Sequence, residues 1–241
     1  MVAHCEKCAD RGLVILNNVA EPCSCVKQRS INNKIKASQI PPQLKKYSFA
    51  DFNLDFYSST RIDPVKKISY RESASTTLQA AKNFVHNYLK NPHIKGLFLT
   101  GPVGSGKTFL ACCIANALLQ KDKTLLFVVV PDLLDQIRST YDPNRQSPVT
   151  ESELLDTARE VPLLILDDLG AHNYTDWTRN KIFSIINYRL NYLLPTVITS
   201  NINLEDLEEY LGDRTTSRIL QMCHPYRLLV DVDIRMQMAK L

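Results

Sequence analysis

Lys107 and Thr108 end the run Gly101-Pro102-Val103-Gly104-Ser105-Gly106-Lys107-Thr108, which has the spacing glycine, four residues, then Gly-Lys-Thr. Glycines let the backbone N–H groups wrap a polyphosphate, a lysine reaches its β- and γ-phosphates, and a threonine hydroxyl holds Mg²⁺. That run, with the adjoining Phe109, is the expected nucleotide-contacting set. A second group, Asp167 and Asp168, ends the apolar run Leu163-Leu164-Ile165-Leu166. A buried strand of that kind delivers its acids to the edge where open α/β sheets place ligands. Asp167 suits the Mg²⁺ shell together with Thr108, and Asp168 suits orientation or deprotonation of an attacking water. Asn201 ends the run Thr196-Val197-Ile198-Thr199-Ser200. Beside the Asp167 strand it reaches a γ-phosphate or the lytic water; otherwise it is an ordinary turn residue.

Three arginines complete the candidate chemistry. Arg214 and Arg218 share one face if residues 214–218 are helical. Either could stabilise charge on a phosphoryl group held by a neighbouring subunit, or form surface ion pairs with Asp206, Glu208 or Asp213. Arg235 follows the last apolar run. Cysteines form a separate set. Cys5, Cys8, Cys23 and Cys25 crowd the N-terminus as two close pairs, a donor set suited to tetrahedral zinc. His4 and His93 are alternative donors, or plain surface histidines. Cys112, Cys113 and Cys223 lie in apolar segments and read as core.

The elements that must position these groups alternate. Strand-like runs fall at 96–100, 124–130, 161–167, 196–200 and 227–232; helical intervals fall at 72–90, 106–121, 132–141, 151–160, 176–193, 204–211 and 216–223. Leu78, Ala81, Phe84 (or Val85) and Tyr88 form a stripe along the first helix. Alternation of this kind predicts an α/β fold with a five-stranded parallel sheet covered on both faces. We divide the chain into a cysteine module at 1–30, a basic connector or strap at 31–70, and a main domain at 71–241. Lys27, Arg29, Lys34, Lys36, Lys45 and Lys46 lie in a stretch without acids, which fits a phosphate contact, an acidic protein surface or a solvated linker equally. The aromatics Tyr47, Phe49, Phe52, Phe56 and Tyr57 suit a strap packed on the main domain, or stacking with bases.

Composition narrows the classes. The 241 residues are 44% hydrophobic with a net charge of +4, ordinary for a globular protein and weak as a sign of nucleic-acid binding. No apolar run approaches the roughly 18 residues of a membrane span, and the N-terminus lacks a signal peptide. A cytoplasmic protein without a membrane partner is the expectation.

The sequence resembles the DnaC/DnaI-type helicase loaders of the AAA+ class. The likeness is carried by residues 101–108, Leu166-Asp167-Asp168-Leu169-Gly170, the run from Trp177 through Ile185-Ile186-Asn187-Tyr188-Arg189, residues 195–201, and Arg214-Thr215-Thr216-Ser217-Arg218-Ile219. The connector from Ser38-Gln39-Ile40-Pro41-Pro42 to Phe49-Ala50-Asp51-Phe52 resembles the segment that precedes the ATPase domain in that family. The resemblance implies a P-loop AAA+ ATPase that uses ATP/ADP and Mg²⁺. It implies Asn201 as sensor 1, Arg218 as arginine finger with Arg214 second, and Arg235 as sensor 2. It further implies that the cysteine module, with Zn²⁺, docks on a hexameric replicative DNA helicase, which is delivered to single-stranded DNA through self-association across the ATP site. The chain ends soon after Val232, so no C-terminal helical lid is expected, and hydrolysis by an isolated subunit should be weak. A transposition helper of the IstB kind and an ATP-binding adaptor with little hydrolysis are the competing functions.

Overall fold

The structure is a computed structural model and describes residues 8, 12–16, 19–23, 40–41, 45–141, 150–170 and 174–239. Near the N-terminus β1 (Leu13–Leu16) and β2 (Val19–Pro22) pair antiparallel, with Leu13 opposite Pro22. The connector makes two short 3₁₀ turns, Phe49–Asp51 and Leu54–Phe56, before α1 (Tyr70–Lys90). Ser69 caps α1 by accepting from the Glu72 N–H, which fixes where the helix starts.

The main domain then runs β3 (Gly96–Thr100), α2 (Lys107–Leu119), β4 (Leu126–Val129), α3 (Val130–Ser139), α4 (Glu151–Glu160) and β5 (Leu164–Leu169). It continues with α5 (Asp176–Asn191), β6 (Thr196–Ser200), α6 (Leu207–Leu211), α7 (Asp213–Met222), β7 (Cys223–Arg227) and α8 (Ile234–Met238). Five strands lie in the order β4-β5-β6-β3-β7, all parallel. Each strand sends alternate side chains to opposite layers. Leu97, Leu99, Phe127, Leu163, Ile165 and Val197 meet α1, α2 and the connector. Phe98, Leu126, Val128, Leu164, Leu166 and Ile198 meet the helices of the other face. Two cores on one sheet are what the strand periodicity dictates. No helix among the described residues is long and apolar enough to cross a membrane.

Several boundaries shift by a few residues from the sequence reading, and two of the shifts fall at the site and at the sheet's edge. The last strand is β7, earlier than the apolar stretch at 227–232. It contains Pro225, and it sits at the sheet's edge, where a missing N–H can face outward. Leu228, expected in the strand, instead follows it: its N–H donates to Thr100 O and its side chain is buried. β5 runs on through Asp167 and Asp168 to Leu169, beyond the expected end. Cys112, Cys113 and Cys223 are core residues, as expected.

One charged group holds the end of the sheet opposite the phosphate loop. Arg189 of α5 is fully buried; its guanidinium donates to Ala158 O, Arg159 O, Val161 O, Pro195 O and Thr196 Oγ1 at 2.7–3.2 Å. It thereby ties the last turn of α4 to the entry of β6. Burial lowers its pKa, and the surrounding carbonyl dipoles compensate in place of a carboxylate.

Candidate nucleotide site

β5, β6 and β3 are adjacent, so their C-terminal ends converge. The phosphate loop leaves β3 at Gly101 and enters α2 through Gly106, whose left-handed φ of +93° caps the helix. The start of a long helix thus opens at Lys107, with its unpaired N–H groups available to an anion. Lys107 Nζ donates to Gly101 O and Pro102 O, each at 2.8 Å, and to Ser105 Oγ at 3.3 Å. Burial draws this ammonium down to about 8, against the opposing pull of Asp168 and Asp167.

The acids are held by hydroxyls. Thr108 Oγ1 donates to Asp167 Oδ1 at 2.9 Å, which joins the loop to the end of β5. Thr199 Oγ1 donates to the same Oδ1 at 2.7 Å. Burial pushes the Asp167 carboxyl up, and the two hydroxyl bonds draw it back. Asp168 stands at φ +62°, where the register of β5 on β6 slips between Leu166 and Leu169. Its N–H donates to Thr199 Oγ1 at 2.9 Å. A left-handed aspartate costs about 1 kcal/mol, and bulges of this kind re-aim side chains beside ligand sites. Thr199 therefore serves both acids, a role that sequence reasoning missed. Its signal was a hydroxyl on the strand neighbouring the carboxylates, one residue before the strand's end.

Asn201 lies just past β6 against the end of β5: a Cβ placed on Gly170 would stand 3.1 Å from its Oδ1. Arg235 is brought to the loop by α8. Ile234 N–H donates to Gly104 O at 3.1 Å, and Asp233 Oδ1 accepts from the Arg235 N–H at 2.8 Å. Gly104 favours glycine through its left-handed φ of +72°, and a Cβ there would also have to displace the Asp233 carboxylate, whose Oδ1 it would meet at 1.9 Å. Arg214 and Arg218 go elsewhere. Arg218 lies on α7, where it donates to Asn187 Oδ1 at 2.7 Å and to Arg214 O at 3.0 Å, and covers the Phe183 ring at 4.8 Å. Arg214 is exposed. Among the described residues neither pairs with Asp206, Glu208 or Asp213, and neither is among the groups that contact the phosphate loop of its own chain.

The connector's aromatics pack on the main domain as a strap. Tyr47 stacks on Phe109 at 4.5 Å, Phe52 stacks on Tyr57 at 5.4 Å, and Tyr57 Oη donates to Ser105 O at 2.8 Å. A cavity of about 230 Å³ lies between this wall, residues 104–109, and Ile234, Arg235 and Met238. One side presents aromatic rings and the other a lysine at a helix start, a fit to a base and its phosphates. Tyr47, Phe52 and Tyr57 were legible as a strap but not as a wall of this cavity.

The zinc donor set falls partly outside the described residues, since Cys5 and Cys25 lie there. Cys8 and Cys23 are buried, and the Cys23 N–H donates to Gly12 O at 2.8 Å, which closes the base of the β1–β2 hairpin. Among the described residues no group of three or more His, Cys, Asp or Glu side chains forms a metal site.

An open parallel sheet with a phosphate loop after β3 and paired acids on β5, the next strand but one, defines a P-loop nucleotide-binding protein. Residues 16–230 match the family described as IstB-like ATP binding protein, and the chain belongs to that family. It is 31% identical over 163 residues to the replicative helicase loader DnaI of Bacillus subtilis, covering 62% of this chain and 51% of that protein. It is 29% identical over 148 residues to the replicative helicase loader DnaC of Escherichia coli, covering 61% and 58%. The crystal structure of DnaI superposes with a TM-score of 0.61 at 28% identity, covering 79% of this chain and 92% of that one. The chain thus spans little more than half the length of the curated relatives it matches.

Proposed function

We propose that this protein is an ATP-dependent loader that binds the hexameric replicative DNA helicase and delivers it to single-stranded DNA. The observation that carries the reading is the Thr108–Asp167 contact, which joins phosphate loop and acid strand in a chain akin to proteins named as loaders. Lys107 would pair with the β- and γ-phosphates, and Thr108 with Asp167 would hold Mg²⁺, which neutralises phosphate charge. Asp168, re-aimed by its bulge, would orient or deprotonate the attacking water, while Asn201 and Arg235 would contact the γ-phosphate. Arg218, with Arg214 second, is tied to its own α5 and would act on a neighbour's nucleotide; self-association then completes the site. Hydrolysis by a dilute subunit should accordingly be slow, and a high turnover there would count against a shared site. The loading test is direct: Lys107→Ala should abolish helicase delivery in a reconstituted reaction, and normal loading by that variant would sink the proposal.

Two surfaces fit the partners. The Trp177 ring centroid lies 5.4 Å from Arg138 and 5.7 Å from Lys181, which also pair with Asp135 and Glu151, and exposed Tyr141 stands edge-on at 6.2 Å. An aromatic group with flanking cations is a platform for bases and phosphates, worth about 1–3 kcal/mol per stacked base. Trp177→Ala should weaken single-stranded DNA binding about tenfold and leave ATP affinity unchanged. Trp177 is the sole tryptophan, so DNA should also quench the protein's tryptophan fluorescence. Neither effect appearing would remove the assignment.

The cysteine module fits zinc. The hairpin brings residues 12 and 23 together, and Cys8 and Cys23 are both buried, which supports reading the two cysteine pairs as one donor set. A module this small needs such a staple, and we assign it helicase docking. Metal analysis should find close to one zinc per chain, lost with Cys8→Ser; a metal-free purified protein would refute this.

A further inference from the structure

Tyr57 belongs to the connector, yet its hydroxyl reaches into the phosphate loop and donates to the main-chain carbonyl of Ser105. The contact is sealed, with Tyr57 2% exposed and Ser105 fully buried. Burial pushes the phenol far above its ordinary pKa, so it remains a donor at every physiological pH. Phe52 clamps the ring from the connector side. Upstream, Asn116 of α2 donates its amide to Tyr47 O at 2.8 Å, holding Tyr47 on Phe109. The connector is therefore stitched to the loop-and-helix unit on both sides of its two 3₁₀ turns.

A peptide unit is planar and trans, so the Ser105 carbonyl and the Gly106 N–H point in opposite directions. Holding that carbonyl toward Tyr57 turns the Gly106 N–H away from the connector. N–H groups of such loops are the phosphate donors, and their value depends on being aimed in advance. Glycine and phenol are mutually fitted here: a Cβ on Gly106 would come 2.8 Å from Tyr57 Oη.

We propose that Tyr57 is a positioning residue for the phosphate loop, through which seating of the connector and binding of phosphates become one equilibrium. The proposal rests on the reading of residues 101–108 as an ATP site. Linkage makes it reciprocal: phosphate binding steadies the connector as much as the connector steadies the loop. Residues 45–57 are then held to the main domain more firmly when nucleotide is bound.

The test uses the full chain and two variants. Tyr57→Phe keeps the ring and deletes the hydroxyl; Tyr47→Ala removes a cavity wall without touching the loop carbonyl. Fluorescent ADP gives affinity, and inorganic pyrophosphate as competitor reports on the phosphate loop alone. Tyr57→Phe should weaken ADP and pyrophosphate alike by about tenfold, measured well below the transition, and should lower the melting temperature without nucleotide by a few degrees because the buried Ser105 carbonyl loses its donor. Tyr47→Ala should weaken ADP and spare pyrophosphate. In the parent chain MgADP should slow hydrogen exchange across residues 45–57, and less so in Tyr57→Phe. Exchange in the parent chain that ignores bound MgADP overturns the coupling even if a variant fails to fold. So does a Tyr57→Phe protein that binds pyrophosphate like the parent. A parent chain that binds no adenine nucleotide defeats the ATP-site reading itself, and the coupling with it.

Discussion

Lys107→Ala should raise the dissociation constant for MgATP about a hundredfold or more, because on the proposed reading it removes charge-assisted bonds to two phosphate groups worth about 1.5–3 kcal/mol each. The same lysine sets a pH dependence. Its ammonium titrates near pH 8, depressed chiefly by burial. Phosphate favours the charged form, so above that pH binding takes up a proton. Affinity should be flat below pH 8 and fall by up to tenfold per unit above it. Stability runs the other way. Between about 8 and the ordinary lysine value the unfolded chain holds more protons than the folded one, so this residue's contribution to stability rises with pH in that window. Equilibrium titration with a fluorescent nucleotide, and urea unfolding of parent and variant, read the two effects. An ATP affinity in Lys107→Ala equal to that of the parent removes the phosphate assignment. A bend near pH 8 that persists in the variant removes the lysine as its cause.

Arg189→Met lowers stability by about 4 kcal/mol, a fall in Tm on the order of 10 °C for a chain of this size. The substitution fits the volume but strands the carbonyls of Ala158, Arg159 and Val161 in a closed interior and weakens the bonding of Pro195 O and Thr196 Oγ1, which keep only the Leu164 N–H and Leu194 O as partners. Each such group costs about 1–3 kcal/mol when its partner is lost, with partial relief from relaxation and water entry. Arg189→Lys should recover little, since one ammonium cannot reach acceptors spread over the end of α4, the turn after it and the entry of β6. Thermal and urea unfolding measure both variants. A change within 1 kcal/mol would mean that water satisfies the carbonyls as well as the guanidinium does. Nucleotide affinity measured below the transition should stay near the parent's, because Arg189 sits at the opposite end of the sheet.

The contrast between these two residues explains what the sequence could reveal. Lys107 was legible because phosphate chemistry demands neighbours at fixed positions along the chain, and Asp167 because a buried strand must present its acids at its end. Arg189 appeared only inside a run of family likeness. Its acceptors come from residues 158–161 and 195–196, which only the folded chain brings together. Thr199 and Tyr57 were hidden for the same reason: each acts across a gap in sequence that the sheet or the connector closes. The β7 boundary failed on a different ground. Apolarity favoured residues 227–232, but an edge strand needs a hydrogen-bonding neighbour on one side only, so His224 and Pro225 were admissible where a central strand would have refused them. Left-handed Asp168 has no local signal beyond aspartate's tolerance of that conformation.

That edge strand has a consequence for crowding. A protein that gathers several copies around one partner brings free strand edges to high local concentration, and bare edges invite the sheet of one copy to grow into the next. Pro225 removes a donor from β7 where such templating would begin, and the chain then turns away into α8 instead of extending the ribbon. In any assembly of copies the β7 edge of one sheet would be a poor template for the next, which leaves helices and loops on that side to make the contact and disfavours sheet growth from it.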